Sequence, residues 1–329
     1  MSLRTLGIVV VSSVVAGASG QPSPARYYNP RFSSDGTSLI FESTRDGKYA
    51  VYTIDADGTK LRKVTDGRQN DAQPQWSVDR RFITFTSDAG GVPKVHIMAA
   101  DGTGRRAINT GPKPDAAPAF APDGSLVTWA ATTELAVNWR DIGIVAADGS
   151  GPRLITSGPG NDQSPIFVTN TRVVFTRDVP PGPDWLKLTP EDHAKRRASS
   201  EIMAVNIDGT GLEHLTKNEV LDGNPSWASA IQRIFFTSSR GGSPELFSMT
   251  AGGSDVRRVM DATGIQPSVS SDGRQVTYAR LAGDRSAVFV CDLASGRERE
   301  VIGGNPPPQV NGNTPDRSPG RPRQLERLP

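Results

Sequence analysis

Nothing in this chain constrains its fold more than a sentence it repeats. "IDADGTKLRKVT" from Ile54 returns as "MAADGTGRRAIN" from Met98, "VAADGSGPRLIT" from Val145 and "VNIDGTGLEHLT" from Val205. Aligning on the Asp-Gly pairs recovers a longer unit that opens on a proline and, in most copies, an aromatic. Clear copies start "NPRFSSDGTSLIFESTRDG", "QPQWSVDRRFITFTSDAGG" and "APAFAPDGSLVTWAATTEL"; worn ones start "SPIFVTNTRVVFTRD", "NPSWASAIQRIFFTSSRGG" and "QPSVSSDGRQVTYARLAGD". The prolines are Pro30, Pro74, Pro118, Pro165, Pro225 and Pro267, at spacings of 44, 44, 47, 60 and 42 residues. Six copies of a unit near ~40–50 residues mean a repeat architecture.

Inside one unit the physics is β. "SLIFES" and "YAVYTID" are strand-length apolar runs, and "LRKVT" is a shorter, half-polar one. Asp-Gly between the last two signals a tight turn, because glycine takes positive φ without steric cost. Ser-Asp-Gly before "SLIFES" marks another. With the segment around "PRFS" this makes four strands per unit. One such sheet cannot bury both faces, so the units must stack. Radial stacking predicts an all-β fold, a six-bladed β-propeller of four-stranded antiparallel blades, with the last strand of each blade facing water. The 34 glycines and 26 prolines fit many short strands joined by turns.

Pro-x-(Phe/Trp)-Ser-x-Asp-Gly, an apolar strand, then Asp-Gly-(Thr/Ser)-Gly-x-x-x-Leu-Thr resembles the TolB-type propeller repeat, also called the WD40-like or PD40 repeat. The resemblance covers about residues 29–304 and implies the fold more strongly than any function, since that repeat also occurs in the propeller domains of prolyl-oligopeptidase-like peptidases. It implies a non-enzymatic scaffold for protein or glycan binding. TolB carries an α/β domain ahead of its propeller, whereas residues 21–28 precede the first repeat here. The N-terminal segment by which TolB contacts its inner-membrane partner is therefore not carried over.

The ends differ from the middle. "MSLR", an apolar stretch and "AGASG" read as a signal peptide over residues 1–20, leaving a propeller over 21–304 that is periplasmic or secreted, with no stable membrane insertion after cleavage. Residues 177–200 interrupt the fourth unit, with a short helix expected from Thr189. Residues 305–329 are rich in proline and arginine, with almost nothing to bury, and are expected to be disordered. A formal charge of +2 argues against nucleic-acid partners, and a lone cysteine, Cys291, excludes an intrachain disulfide framework. A monomer is expected.

Candidate chemistry follows from position. Just before the Pro-x-aromatic segment of four units an acid recurs: Asp71, Asp115, Asp162 and Asp222; the first and sixth units lack it. Propeller geometry would gather these on one channel mouth. Two readings stand: a carboxylate ring that attracts a cation or a basic loop, or aspartates that each close their own turn. Trp185, in the insertion, is a candidate contact with a partner. His96 lies mid-strand, His193 in the insertion and His214 in an outer strand, so no shared metal site is expected. No Gly-x-Ser-x-Gly elbow is present. The favoured reading is a scaffold without a cofactor, its partner an envelope or secreted protein or a glycan. The alternative is a propeller enzyme, of hydrolase or lyase type, with a cation such as Ca²⁺ at the acidic mouth.

Overall fold

The computed structural model describes residues 24–134, 139–158, 160–178, 199–261 and 264–303. Six four-stranded antiparallel sheets are found there, each built from four consecutive strands. With strands numbered β1 to β24 in chain order, blade 1 holds β1 (Tyr27–Phe32), β2 (Ser38–Ser43), β3 (Ala50–Asp55) and β4 (Arg62–Lys63). The first strands of the other blades are β5 (Asp71–Trp76), β9 (Asp115–Phe120), β13 (Asn161–Thr169), β17 (Asp222–Ala228) and β21 (Ile265–Val269). These first strands touch their neighbours around the whole ring and form its inner wall. The all-β, six-bladed expectation is met. No helix among the described residues is long and apolar enough to cross a membrane. The signal segment, Trp185, His193, the expected short helix and the tail lie outside the described residues.

The apolar positions of the repeat separate blade from blade. Six core clusters fill the six interfaces; between blades 2 and 3, for example, Val95, Ile97 and Ile108 meet Phe120, Val127 and Trp129. Each blade thus buries its faces against its neighbours, as a lone sheet cannot.

The repeated sentence has a structural purpose. Asp57, Asp101, Asp148 and Asp208, the Asp of each Asp-Gly, accept the backbone N–H and the hydroxyl of the Thr or Ser two residues on. Those hydroxyl bonds, then the amide bonds, hold the four carboxyls below their usual range. Gly58, Gly102, Gly149 and Gly209 follow at φ of 84–96°, where only glycine is unstrained. The closing Thr or Asn, namely Thr65, Asn109, Thr156 and Thr216, accepts a buried amide of the third strand, from Val51, Val95, Ile142 and Ile202 at 2.8–3.0 Å.

Every first strand is bulged at the same place. The residue before each repeat proline (Asn29, Gln73, Ala117, Ser164, Asn224 and Gln266) has φ between 50° and 54°. The register between first and second strands slips there in all six blades. Proline has no N–H for the ladder, so the strand breaks pairing and turns its backbone toward the channel.

Among the described residues no strand is exchanged between the two ends to close the ring. Blade 6 meets blade 1 through Tyr27, Leu39 and Phe41 against Val288, Val290 and Val301. Ser286 Oγ receives Tyr27 N at 2.5 Å and donates to Tyr27 O at 2.9 Å.

Candidate functional site

Asp71, Asp115, Asp162 and Asp222 begin, or nearly begin, β5, β9, β13 and β17, so they share one mouth of the channel. Their carboxylates are buried, and each meets a cation. Arg105 binds Asp71 through both nitrogens, at 2.8 and 2.9 Å. Arg177 does the same to Asp162 at 2.6 and 2.7 Å. Arg240 reaches Asp222 at 3.0 Å, and Lys94 of blade 2 reaches Asp115 of blade 3 at 2.6 Å. Three receive a further bond from the end of the preceding blade: Asn109 to Asp115, Thr156 to Asp162 and Asn218 to Asp222. Burial pushes Asp115 above the usual carboxyl range; Lys94, Trp129 and Asn109 oppose it. The guanidiniums of Arg105, Arg177 and Arg240 lie 5.1, 5.5 and 5.5 Å from the rings of Phe85, Phe175 and Phe236, the aromatics of the second strands. The like-charge repulsion expected of a bare ring is thus answered inside the blades. Blade 6, which lacks the acid at this position, builds a comparable set from Arg280, Glu298 and Phe289.

The channel lining follows from the bulges. Gln266 Oε1 accepts Asn29 N at 2.9 Å, and Gln73 Oε1 accepts Ala117 N at 2.8 Å. Each bulge glutamine thus reaches the bulge amide of the next blade. Asn29 is one methylene shorter, and Glu42 of β2 accepts Gln73 N in its place while taking Asn29 Nδ2 at 3.1 Å. Position 42 is otherwise neutral around the ring: Thr86, Ala130, Thr176, Thr237 and Ala279. Burial raises Glu42 to about 7, against the pull of Gln73 N, Asn29 and Arg31. Two residues past the bulge the pattern repeats: Gln75, Ala119, Ile166, Ser226 and Ser268 are neutral, and blade 1 alone carries a charge, Arg31. Burial lowers the pKa of Arg31, although the side chain keeps partial exposure.

Blade 3 runs past the acid at the acidic mouth. β10 (Leu126–Glu134) and β11 (Trp139–Ala146) are longer than their equivalents β2 and β3, as are β22 (Gln275–Ala282) and β23 (Arg285–Asp292) of blade 6. Asp178, the last residue of β14 (Arg172–Asp178), accepts Asn161 Nδ2 at 3.1 Å and Gln163 Nε2 at 2.9 Å, and it faces Arg140. Among the described residues, Thr132 Oγ1, Trp139 Nε1, Asn161 Oδ1 and Thr176 Oγ1 are buried there without a hydrogen-bond partner. A cleft of about 360 Å³, lined by Leu215, Lys217, Val220, Arg240 and Val256 among others, opens beside it between blades 4 and 5.

The PD40 family model, TolB beta propeller domain, matches residues 9–188 and 181–305. The chain belongs to the TolB beta-propeller domain family. Among solved structures it is similar to TolB from Acinetobacter baumannii, with 17% identity and a TM-score of 0.63 over 84% of this chain and 62% of that one. The chain thus spans less than two thirds of that relative. An oligogalacturonate lyase in complex with manganese is similar at 14% identity and a TM-score of 0.58, over 84% of this chain and 78% of that one. A puromycin-hydrolysing peptidase of Mycobacterium tuberculosis is similar at 15% and 0.58, over 88% and 48%. No curated protein matches. At these identities the likeness carries the TolB-type propeller fold and nothing finer.

Within this TolB-type propeller, reasoning from recurrence found the acids and missed Arg31 and Glu42. Their signal was present in the alignment, as charges in columns that are otherwise neutral. His96 is buried over the Phe85 ring at 5.6 Å, and His214 is exposed on an outer strand. No group of three His, Cys, Asp or Glu able to hold a metal occurs among the described residues.

Proposed function

We propose that the chain is a non-enzymatic scaffold of the cell envelope, periplasmic or secreted, that holds a protein or glycan on the acidic mouth beside blades 3 and 4. One observation carries this reading: four buried polar atoms, on Thr132, Trp139, Asn161 and Thr176, gather at one mouth with their bonding capacity unmet. A buried polar atom without a partner costs about 1–3 kcal/mol, which a bound partner recovers. The leader-like start of the chain supports the location. The four aspartates enter as the frame that fixes Lys94, Arg105, Arg177 and Arg240 at the rim. The test is capture from envelope extract by the tagged full chain, repeated with Thr132→Arg and Asn161→Arg. Loss of a captured partner in both variants supports the reading; undiminished capture by both overturns it.

A second reading keeps a propeller enzyme, because Glu42 is held near neutrality in the channel, where a carboxyl serves as general acid or base. Turnover of an offered substrate that Glu42→Gln abolishes would favour it, as would calorimetric binding of Ca²⁺ at the mouth.

A further inference from the structure

In blades of one design, a side chain that shrinks in one copy leaves room there. Arg106 lies opposite Ile97 of β7 (Lys94–Ala99), and Arg257 lies opposite Ser248 of β19 (Glu245–Thr250). Ile97 and Ser248 hold the same place in their strands, so the preceding residues, Arg105 and Val256, are equivalent. Arg105 crosses from the outer edge of blade 2 to Asp71. Val256 is far shorter, and Asp222 is reached instead by Arg240, from the turn between the second and third strands of blade 5. The cleft of about 360 Å³ between blades 4 and 5 opens at this place, with Val256 and Arg240 in its wall.

Most polar groups of that wall are committed within the protein. Asn218 donates Nδ2 to Asp222 at 2.7 Å and accepts Val220 N at 2.9 Å. Thr216 Oγ1 donates to Glu201 at 2.7 Å and accepts Ile202 N at 2.9 Å. Arg240 donates Nε to Ser238 and Nη2 to Asp222, and its guanidinium lies 4.7 Å from the Phe247 ring centre. Two groups keep donors to spare. Among the described residues Arg240 Nη1 makes no hydrogen bond, and the exposed Lys217 makes neither a hydrogen bond nor an ion pair. Leu215, Val220 and Val256 supply the apolar part of the wall.

We propose that this cleft binds a small apolar acid, its carboxylate held by Arg240 Nη1 and Lys217 and its body laid on Leu215, Val220 and Val256. A hydrogen bond from a charged donor to a carboxylate is about twice as strong as a neutral one, and the two cations are the groups left to make it. Asp222 and Glu201 stand behind the wall, so the local charge suits a monoanion better than a dianion such as phosphate. The volume falls at the lower end of small-molecule sites, roughly 300–1,000 Å³, which points to a free acid rather than a protein surface. The site lies between blades 4 and 5 and stands whether or not a partner docks on the acidic mouth beside blades 3 and 4.

The test is titration calorimetry on the full chain with phenylacetate, phenylacetamide, acetate and inorganic phosphate. Phenylacetate should bind at least about tenfold more tightly than phenylacetamide, which lacks the charge, and than acetate, which lacks the apolar body. Lys217→Gln, a change at an exposed and unpaired side chain, should cut the preference for acid over amide by about fivefold. Val256→Arg, which gives blade 5 the residue that blade 2 carries, should fill the cleft and abolish binding while the variant melts like the parent. Should Val256→Arg fail to fold, Lys217→Gln decides. Equal affinity for acid and amide, acetate bound as tightly as phenylacetate, tighter binding of phosphate, or no binding at millimolar ligand would each overturn the proposal. So would affinity unchanged in Lys217→Gln or in a folded Val256→Arg.

Discussion

Arg105 holds Asp71 with both arms of its guanidinium, at 2.8 and 2.9 Å, while its carbon lies 5.1 Å from the centre of the Phe85 ring. Asp71 is fully buried, so removing it strands a cation whose partner was within the protein. Breaking a buried pair from one side costs roughly 3–5 kcal/mol. Asp71→Ala should lose stability on that scale, read from the urea midpoint. The pair Asp115→Asn and Asp162→Asn should also destabilise, because both carboxylates compensate cations. A double variant as stable as the parent would show that these pairs contribute nothing.

His96 and Glu42 should tilt stability against pH in opposite directions. Burial, aided by Arg105, lowers His96 from 6.5 to about 4. The unfolded chain then binds the extra proton, so stability is full above about pH 6.5 and falls as pH drops toward 4, by up to about 3 kcal/mol. Glu42 is raised from 4.5 to about 7; its stability is full below about pH 4.5 and falls as pH rises through 7. Between these limits the two slopes oppose. Relative to the parent, His96→Gln should make stability fall with rising pH, and Glu42→Gln should make it rise. Urea midpoints at several pH values check both signs.

Gly143 is fixed by Trp129. A Cβ built at Gly143 would lie 2.6 Å from Trp129 Cζ2 and 2.7 Å from Cε2, and the same ring donates Nε1 to Asp115 at 3.1 Å. Gly143→Ala should cost about 1–3 kcal/mol through overpacking and shift the tryptophan emission. Gly90→Ala, where nothing lies within 4 Å, is the control and should change neither.

At the seam between blades 6 and 1, Ser286→Ala removes both partners that the side chain gives to Tyr27. Two buried backbone groups lose their bonds, which costs about 1–3 kcal/mol each. Hydrogen exchange should accelerate first at Tyr27 and its neighbours. Uniform acceleration through all six blades would instead show that the seam is no weaker than any other interface.

Much of this was legible in the sequence because the repeat is written in residues whose chemistry is local. Proline, Asp-Gly and a closing threonine act on backbone groups within their own unit, so they appear as columns. The aspartate column was legible too, yet its meaning was not. Its cations come from unrelated places: Arg105 before an outer strand, Lys94 at the start of a third strand, Arg177 near the end of a second, and Arg240 in a turn. Only folding brings each to its acid. Arg31 and Glu42 escaped for the opposite reason. They occur once, and a search for what recurs passes over what differs.

A ring fastened by side chains at one joint has a clasp rather than a weld. Each blade is an unbroken length of chain, so any of the six joints could serve as the opening without dividing a sheet between two ends. Chains that begin at Arg68 or at Lys113, with the native termini linked, should assemble the same six sheets. The order of the blades is then a property of the circle, and the place where translation starts is incidental to it.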